Sequence, residues 1–337
     1  MRTGSNPNKI KVAPLPYTHQ VVIPLYIPNH EGYFEESFTV FRKSFESLCN
    51  TVHPRTYITI CENGCAPEIR EELRAWYEAG KIHELISSGN IGKMNAVLKG
   101  IAGTSIPLIT IADADVLFQP HWQAETVKVF NAFPKAGAVG LVPQIKMWEY
   151  QCANVILDHF LKNQLTFCEV DENAMLAFYD SIGWKRDVNP DYFRYALSVS
   201  NGENRALVGC GHFVATYRRE VFCELPRYFR HKLGGTSETF LDEIVPRRGY
   251  YRLTTVQNLA YHIGNRMQPW VDNKMPPAEQ IAELELLPAA PPNPPHPFIK
   301  KIKDKTYKML SKRCYLLLLR RWKLPKSIAS HFHQFKR

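Results

Sequence analysis

Asp113 and Asp115 form an Asp-Ala-Asp triplet directly after the apolar run 108–112 (LITIA). They are the only aspartates among the first 157 residues, where glutamate otherwise carries the negative charge. Two short carboxylates at a strand end can converge on a hard divalent cation, which takes oxygen ligands. The same pair could instead cap a helix or close a turn. A second group is Asn90-Ile91-Gly92-Lys93. Gly92 permits a tight turn and Lys93 opens a helical stretch beside it. A cation next to helix-terminal N–H groups suits a phosphate, although a solvated lysine at a helix start is written with the same letters. Glu62 ends the run 56–61 (TYITIC) and precedes Asn63-Gly64. A carboxylate there could accept hydrogen bonds from a nucleobase or ribose, and Asn63-Gly64 is also turn chemistry. Late in the chain, Glu238, Asp242 and Glu243 are candidate general bases. Glu238 and Asp242 are four apart and share a helix face. His262 could add a nitrogen ligand to a metal already held by carboxylate, or serve as a hydrogen-bonded structural residue.

These groups need a scaffold that brings strand ends together. Residues 20–27 (QVVIPLYI) read as a buried strand ending in a Pro-containing turn, and 34–48 follow with helical spacing. Residues 56–61 alternate and are β-branched, which predicts a second strand. Pro67 can start a helix, which 68–79 continue with acids in the first turn. Short strands are expected at 82–86, 108–112 and 138–142, with helices at 93–101 and 122–133. Strands alternating with helices predict an α/β fold around a mostly parallel sheet, whose ligands bind at the carboxyl ends of the strands. Residues 148–206 read as helices and loops rich in aromatics. A strand is expected again at 212–217, a helix at 238–248 disturbed by Pro246, and a late strand at 251–256.

The 337 residues are 45% hydrophobic and 22% charged, an ordinary globular composition that excludes overall disorder. No run approaches the roughly 18 apolar residues of a membrane span. The first nineteen residues lack an apolar core, so no secretory signal is expected. The eight cysteines form no C-x-x-C pair and read as reduced thiols of a cytoplasmic protein. The net charge is +10, but residues 296–337 carry 13 Lys/Arg against one acid, Asp304, and the remainder of the chain is slightly acidic. The positive charge belongs to the tail, which argues against a nucleic-acid-binding body.

In this order and spacing the motifs resemble the family 2 glycosyltransferases of the GT-A fold. The matching residues are VVIPLYIPN (21–29), ITICENG (58–64), NIGKMNAVLKGI (90–101), ITIADADVLF (109–118), GCGHFVATYRREVF (209–222), LDEIVPRRGY (241–250) and AYHIG (260–264). The resemblance implies a Rossmann-like GT-A domain with a helical insertion. It implies metal-dependent, inverting hexosyl transfer from a nucleotide-diphosphate sugar (UDP-, GDP- or dTDP-linked) to a hydroxyl of a glycan or lipid-linked acceptor, as in polysaccharide biosynthesis. Pro24 and Tyr26 would line the nucleotide pocket, Glu62 would face the base, and Asn90 and Lys93 would lie near the nucleotide. Asp113 would contact the ribose side of the donor and share the metal site with Asp115 and His262, which would hold Mn2+ or Mg2+. Gly211 and His212 would border the acceptor. The family often carries an adjacent Glu-Asp pair where this chain has Asp242-Glu243, so the base lies among Asp242, Glu243 and Glu238, with Asp242 favoured. The rival enzyme is a sugar-nucleotide nucleotidyltransferase, but its Gly-rich N-terminal phosphate loop is absent. A catalytically silent glycan- or lipid-binding module on the same fold is the rival of another class.

The expected organisation is a polar leader (1–19), a GT-A domain (20–268) with an acceptor-side insertion (148–206), a Pro-rich linker (269–298) and a basic amphipathic tail (299–337). Residues 287–298 hold six prolines, a stiff extended composition. The tail mixes Lys/Arg with apolar residues in a way that suits an anionic membrane surface. The expected location is cytoplasmic, or peripheral on the cytoplasmic membrane face.

Overall fold

The structure is a computed structural model that describes residues 9 and 11–313, apart from 186, 187, 189, 235, 236, 289 and 290. Strand β1 (His19–Leu25) leads to helix α1 (Ser37–Thr51), β2 (Thr56–Asn63) to α2 (Pro67–Glu78), and β3 (Glu84–Ser88) to α3 (Lys93–Ile101). Strand β4 (Leu108–Ala112) passes through the short β5 (Val116–Phe118) to α4 (Trp122–Ala132) and β6 (Ala136–Gly140). The middle of the chain forms α5 (Ala153–His159), β7 (Leu165–Glu169), α6 (Glu172–Ser181), β8 (Tyr195–Asn201) and β9 (Asn204–Val208). Strand β10 (Val214–Arg218), α7 (Thr239–Arg247), β11 (Tyr251–Thr254), β12 (Ala260–His262), α8 (Pro269–Asn273) and α9 (Pro297–Arg313) complete it.

The central sheet has the order β3-β2-β1-β4-β10-β6-β11-β9-β8-β7. The pairings orient β3, β2, β1, β4, β6, β11 and β8 one way and β10, β9 and β7 the other. The sheet is therefore mostly parallel, with helices on both faces, as the alternating pattern predicts. The reason is visible in β1. Val21 and Ile23 pack with Phe41, Phe45 and Leu48 of α1. Val22, pointing the other way, packs with Met94 and Val97 of α3. Opposite faces of one strand feed two cores, and each fully buried side chain stabilises by about 1.5–3 kcal/mol.

Several expected elements move. The third strand and β6 each lie two residues from the sequence reading, at Glu84–Ser88 and Ala136–Gly140. Residues 148–206 are not only helices and loops. They contain β7 and β8, which with β9 add three antiparallel strands to the edge of the main sheet. Pro246 lies in the last turn of α7, which stops at Arg247. Strands β5 and β12 pair antiparallel as a separate two-stranded sheet that sets His262 opposite Val116.

After α8 the described chain has no regular secondary structure until α9 and lies against the domain. Glu283 meets Arg55 at 3.2 Å and accepts from the Thr18 hydroxyl at 2.6 Å. Asn131 Oδ1 receives the Leu287 N–H at 2.8 Å. None of the described helices is long and apolar enough to cross a membrane. The seven described cysteines are free thiols, and the tail beyond residue 313 lies outside the described residues.

Candidate active site

Strands β1 and β4 are adjacent and parallel, so their carboxyl ends open on one edge of the sheet. A cavity of about 400 Å³ lies there. Its apolar wall is Pro24, Tyr26, Tyr33 and Phe34, and its polar wall includes Asn63, Asn90, Lys93, Asp113 and Asp115. The edge of Phe34 packs on Tyr26 at 5.7 Å between ring centroids.

Lys93 is the first residue of α3, and Gly92 before it has φ +92°, a region that favours glycine. A Cβ on Gly92 would stand 2.8 Å from the Lys232 Cα. The close approach lets the Lys93 N–H donate to the Lys232 carbonyl at 2.8 Å. Lys232 and Leu233 thereby reach the cavity from a segment far away in sequence. Asn90 Oδ1 accepts the Gly92 N–H at 3.2 Å and Asn63 Oδ1 accepts the Ile91 N–H at 2.9 Å, which fixes the loop that presents Lys93.

The Lys93 ammonium stands 2.6 Å from Asp113 Oδ1 and 2.6 Å from Glu238 Oε1. Burial pulls the ammonium down, but the two carboxylates prevail and hold its pKa above the ordinary lysine value. Burial pushes Glu238 up, and Lys93 overcomes this to leave it below the usual carboxylate range. Asp113 is anchored by its N–H donating to the Phe213 carbonyl at 2.8 Å.

Asp115 faces a different partner. The β5–β12 register brings His262 Nε2 within 3.3 Å of Asp115 Oδ2. The Ile263 N–H donates to the Asp115 carbonyl at 2.8 Å. On the far side of the ring, His262 Nδ1 shares a hydrogen bond with Ser181 Oγ at 3.0 Å. Phe178 and Phe213 hold the ring edge-on. Burial raises the Asp115 pKa, opposed by His262 and reinforced by Asp113.

The predicted residues divide accordingly. Pro24, Tyr26, Asn90, Lys93, Asp113 and Asp115 line one cavity. His262 touches Asp115, and Glu238 touches Lys93. Glu62 turns inward instead. It is buried, accepts the Gly64 and Cys65 N–H groups at 2.8 and 2.5 Å, and Arg70 lies 3.4 Å away. Asn63 takes the place at the cavity wall. Asp242 is buried as well. Its Oδ1 accepts from Arg252 at 2.6 Å and its Oδ2 meets His212 Nδ1 at 3.0 Å. Glu243 is paired with Arg247 one turn further along α7. A Cβ on Gly211 would meet the side-chain amide of Gln144, which packs directly over this glycine. Asp113 is committed to Lys93 rather than to Asp115 and His262. Among the described residues, no three His, Cys, Asp or Glu side chains converge as a metal site.

Arg252 has no counterpart in the sequence reading. It is 0% exposed, reaches the Cys210 carbonyl as well as Asp242, and sits in β11. An arginine between apolar strand residues, with its acid partner ten positions away, leaves no local pattern to detect. Phe34 is legible in the sequence only as the start of a helical stretch and Tyr33 carries no signal there, because their place at the cavity depends on how residues 26–36 fold back.

Residues 27–193, just under half of the chain, match the family model described as Glycosyl transferase family 2. No curated protein matches the chain. Among solved structures, S. aureus TarS 1-349 aligns with a TM-score of 0.43 at 9% identity, over 73% of this chain and 60% of that one. Its complex with UDP-GlcNAc aligns with 0.42 at 10% identity, over 76% and 60%. GalNAc-T7 with UDP, GalNAc and Mn2+ aligns with 0.43 at 13% identity, over 73% and 44%.

Proposed function

We propose that the chain transfers a sugar from a nucleoside-diphosphate sugar to a hydroxyl acceptor, with inversion at the anomeric carbon. The observation that carries this reading is the meeting, in one cavity, of an aromatic wall with Lys93, Asp113 and Asp115. Tyr26, Tyr33 and Phe34 offer apolar faces to a nucleoside, and Asn63 and Asn90 offer polar groups to its edge. The charged wall beside them suits a diphosphate.

Asp115 and His262 fit a divalent ion. They are 3.3 Å apart, their orientations are fixed by Ser181 and the β5–β12 pairing, and the half-buried carboxylate has no lysine or arginine within ion-pair distance among the described residues. Carboxylate oxygen with imidazole nitrogen is a donor set for Mn2+, and Mg2+ is also served by the oxygen. When bound, the ion would stabilise the charge that develops on the departing diphosphate. Lys93 adds a fixed positive charge at the same wall.

Glu238, rather than Asp242, is the base in this reading. Its carboxylate joins Lys93 and Asp113 beside the donor cavity, whereas both Asp242 oxygens are engaged by Arg252 and His212. A carboxylate placed there takes the acceptor proton as the hydroxyl attacks. Attack from the face opposite the diphosphate gives inversion. This chemistry requires an acceptor hydroxyl, and a glycan or lipid-linked hydroxyl is the class we infer.

The test is a panel of UDP-, GDP- and dTDP-sugars assayed for released nucleoside diphosphate, with Mn2+ or Mg2+ and with EDTA. One donor should turn over in a metal-dependent way, and Asp115→Ala should nearly abolish turnover while leaving the melting temperature close to wild type. A chain that binds nucleotide sugars without turnover, or an Asp115→Ala variant fully active in EDTA, defeats this reading.

A further inference from the structure

Helix α9 is turned the wrong way round for a helix that packs on a core. Lys303 reaches inward to Asp158 at 3.4 Å, and Lys300 pairs with Asp304 at 3.0 Å. Lys300, Lys303 and Asp304 line a polar crevice with Asn154 and Asp158. Asp158 is the anchor of that seat, since it also meets Lys135 at 3.0 Å and accepts from the Tyr251 hydroxyl at 2.7 Å. The apolar side chains described in its first two turns are exposed. Phe298 is 65% exposed, Ile299 50% and Ile302 48%. Lys305 is exposed on the same side, and Lys301 is exposed at its border, where it also lines a crevice with Arg247 and Arg248. Positions 298, 301, 302 and 305 follow the i, i+3, i+4, i+7 spacing of one helix face.

A charged side turned inward and an apolar stripe turned outward between lysines would be unfavourable for a helix bathed only in water. It matches the environment at a bilayer surface, where apolar residues enter the acyl boundary and lysines meet anionic headgroups. The surrounding charge agrees, because residues 296–337 hold 13 Lys/Arg and one acid, and that acid, Asp304, is on the inward side. We propose that the outer face of α9 docks the protein on an anionic lipid surface, with Phe298 and Ile302 as the inserting residues, Lys305 as the central headgroup contact and Lys301 as the flanking one. The proposal stands on this helix alone and does not depend on the reaction assigned to the cavity.

The experiment is co-sedimentation of the full chain with vesicles of phosphatidylcholine alone and of phosphatidylcholine with phosphatidylglycerol, at low and high salt. Binding should require the anionic lipid and weaken as salt rises. Lys301→Ala with Lys305→Ala should weaken it by about fivefold per lysine. Phe298→Ser with Ile302→Ser should weaken it by at least about tenfold. Both variants should keep the wild-type melting temperature. The proposal is overturned if the full chain ignores anionic vesicles at low salt, if it binds neutral vesicles equally well, or if neither pair of substitutions changes binding. It is also overturned if Phe298→Ser with Ile302→Ser abolishes a concentration-dependent dimer while leaving vesicle binding intact, because the face would then be covered by a second copy.

Discussion

Two charged clusters lie beside each other around α7, and they are built from the same kinds of groups in opposite proportion. At the start of the helix one cation, Lys93, serves two carboxylates, Asp113 and Glu238. Inside the fold one carboxylate, Asp242, serves two nitrogen bases, Arg252 and His212. The Lys93 and Glu238 side chains remain 17% and 20% exposed, while Arg252 is 0% exposed. A cluster with surplus carboxylate at the edge of a cavity can accept a proton or face a cation. A carboxylate saturated by a buried guanidinium can do neither without disrupting the fold. The comparison separates acids that could do chemistry from acids that hold β11 to α7, a distinction that residue type and spacing do not make.

The largest effect expected is on rate. Glu238→Gln should lower turnover by about 10²–10⁴-fold, the usual loss for a general base, with donor binding and melting temperature nearly unchanged. Steady-state turnover and nucleotide binding measured on the same preparation check it. If Asp242→Asn is the variant that stays folded and loses turnover, and Glu238→Gln is active, the roles of the two clusters are reversed.

Next comes stability. Arg252→Met leaves Asp242 buried beside His212 without its permanent cation. Breaking a buried pair in this way costs about 3–5 kcal/mol, to be read from denaturant unfolding. The double variant Arg252→Met, Asp242→Leu should recover much of that loss, since no uncompensated buried charge remains. Failure of the double variant to recover would mean that the hydrogen bond to Cys210, rather than the ion pair, gives Arg252 its role. Asp242→Asn alone leaves the buried Arg252 guanidinium without its carboxylate, so it should cost about 3–5 kcal/mol, as much as Arg252→Met.

The same contrast explains what the sequence discloses. The strand ends that build the cavity were legible because apolar runs stop abruptly at chemistry: β4 is uninterrupted LITIA before Asp113, and β1 runs VVIPL before Tyr26. Lys93 was legible because Gly92 marks the helix start. The sheet edge at β7, β8 and β9 was not, yet its signal was present. Asn201 pairs with Asn204 across a two-residue turn, and Gly202 takes φ +62° there. Gly202 at the first position of that turn is a short-range hairpin signal, hidden by the aromatic residues that precede it. Choosing among Glu238, Asp242 and Glu243 was beyond the sequence because helical spacing puts Glu238 and Asp242 on one face. The partner that withdraws Asp242, Arg252, is brought in by β11 packing beside the Gly209–Cys210 turn, where the Gly209 N–H donates to the Arg252 carbonyl at 2.8 Å.

The smallest effect distinguishes the clusters by pH. Burial lowers the His212 pKa, but its hydrogen bond to Asp242 wins and holds it above the ordinary value of 6.5. A histidine raised in the folded state binds its proton more tightly there than in the unfolded chain. Its contribution to stability is therefore complete below about pH 6.5 and declines as pH rises through the folded value. Wild-type stability should fall over that window, and His212→Gln should flatten the fall while lowering stability on the acid side. Lys93 titrates far above the window and Glu238 far below it, so the open cluster should add no slope of its own. Denaturant unfolding of wild type, His212→Gln and Glu238→Gln from pH 6 to pH 9 checks this. An equal slope in wild type and His212→Gln would show that Asp242 leans on Arg252 alone, and the buried cluster would then reduce to a single ion pair.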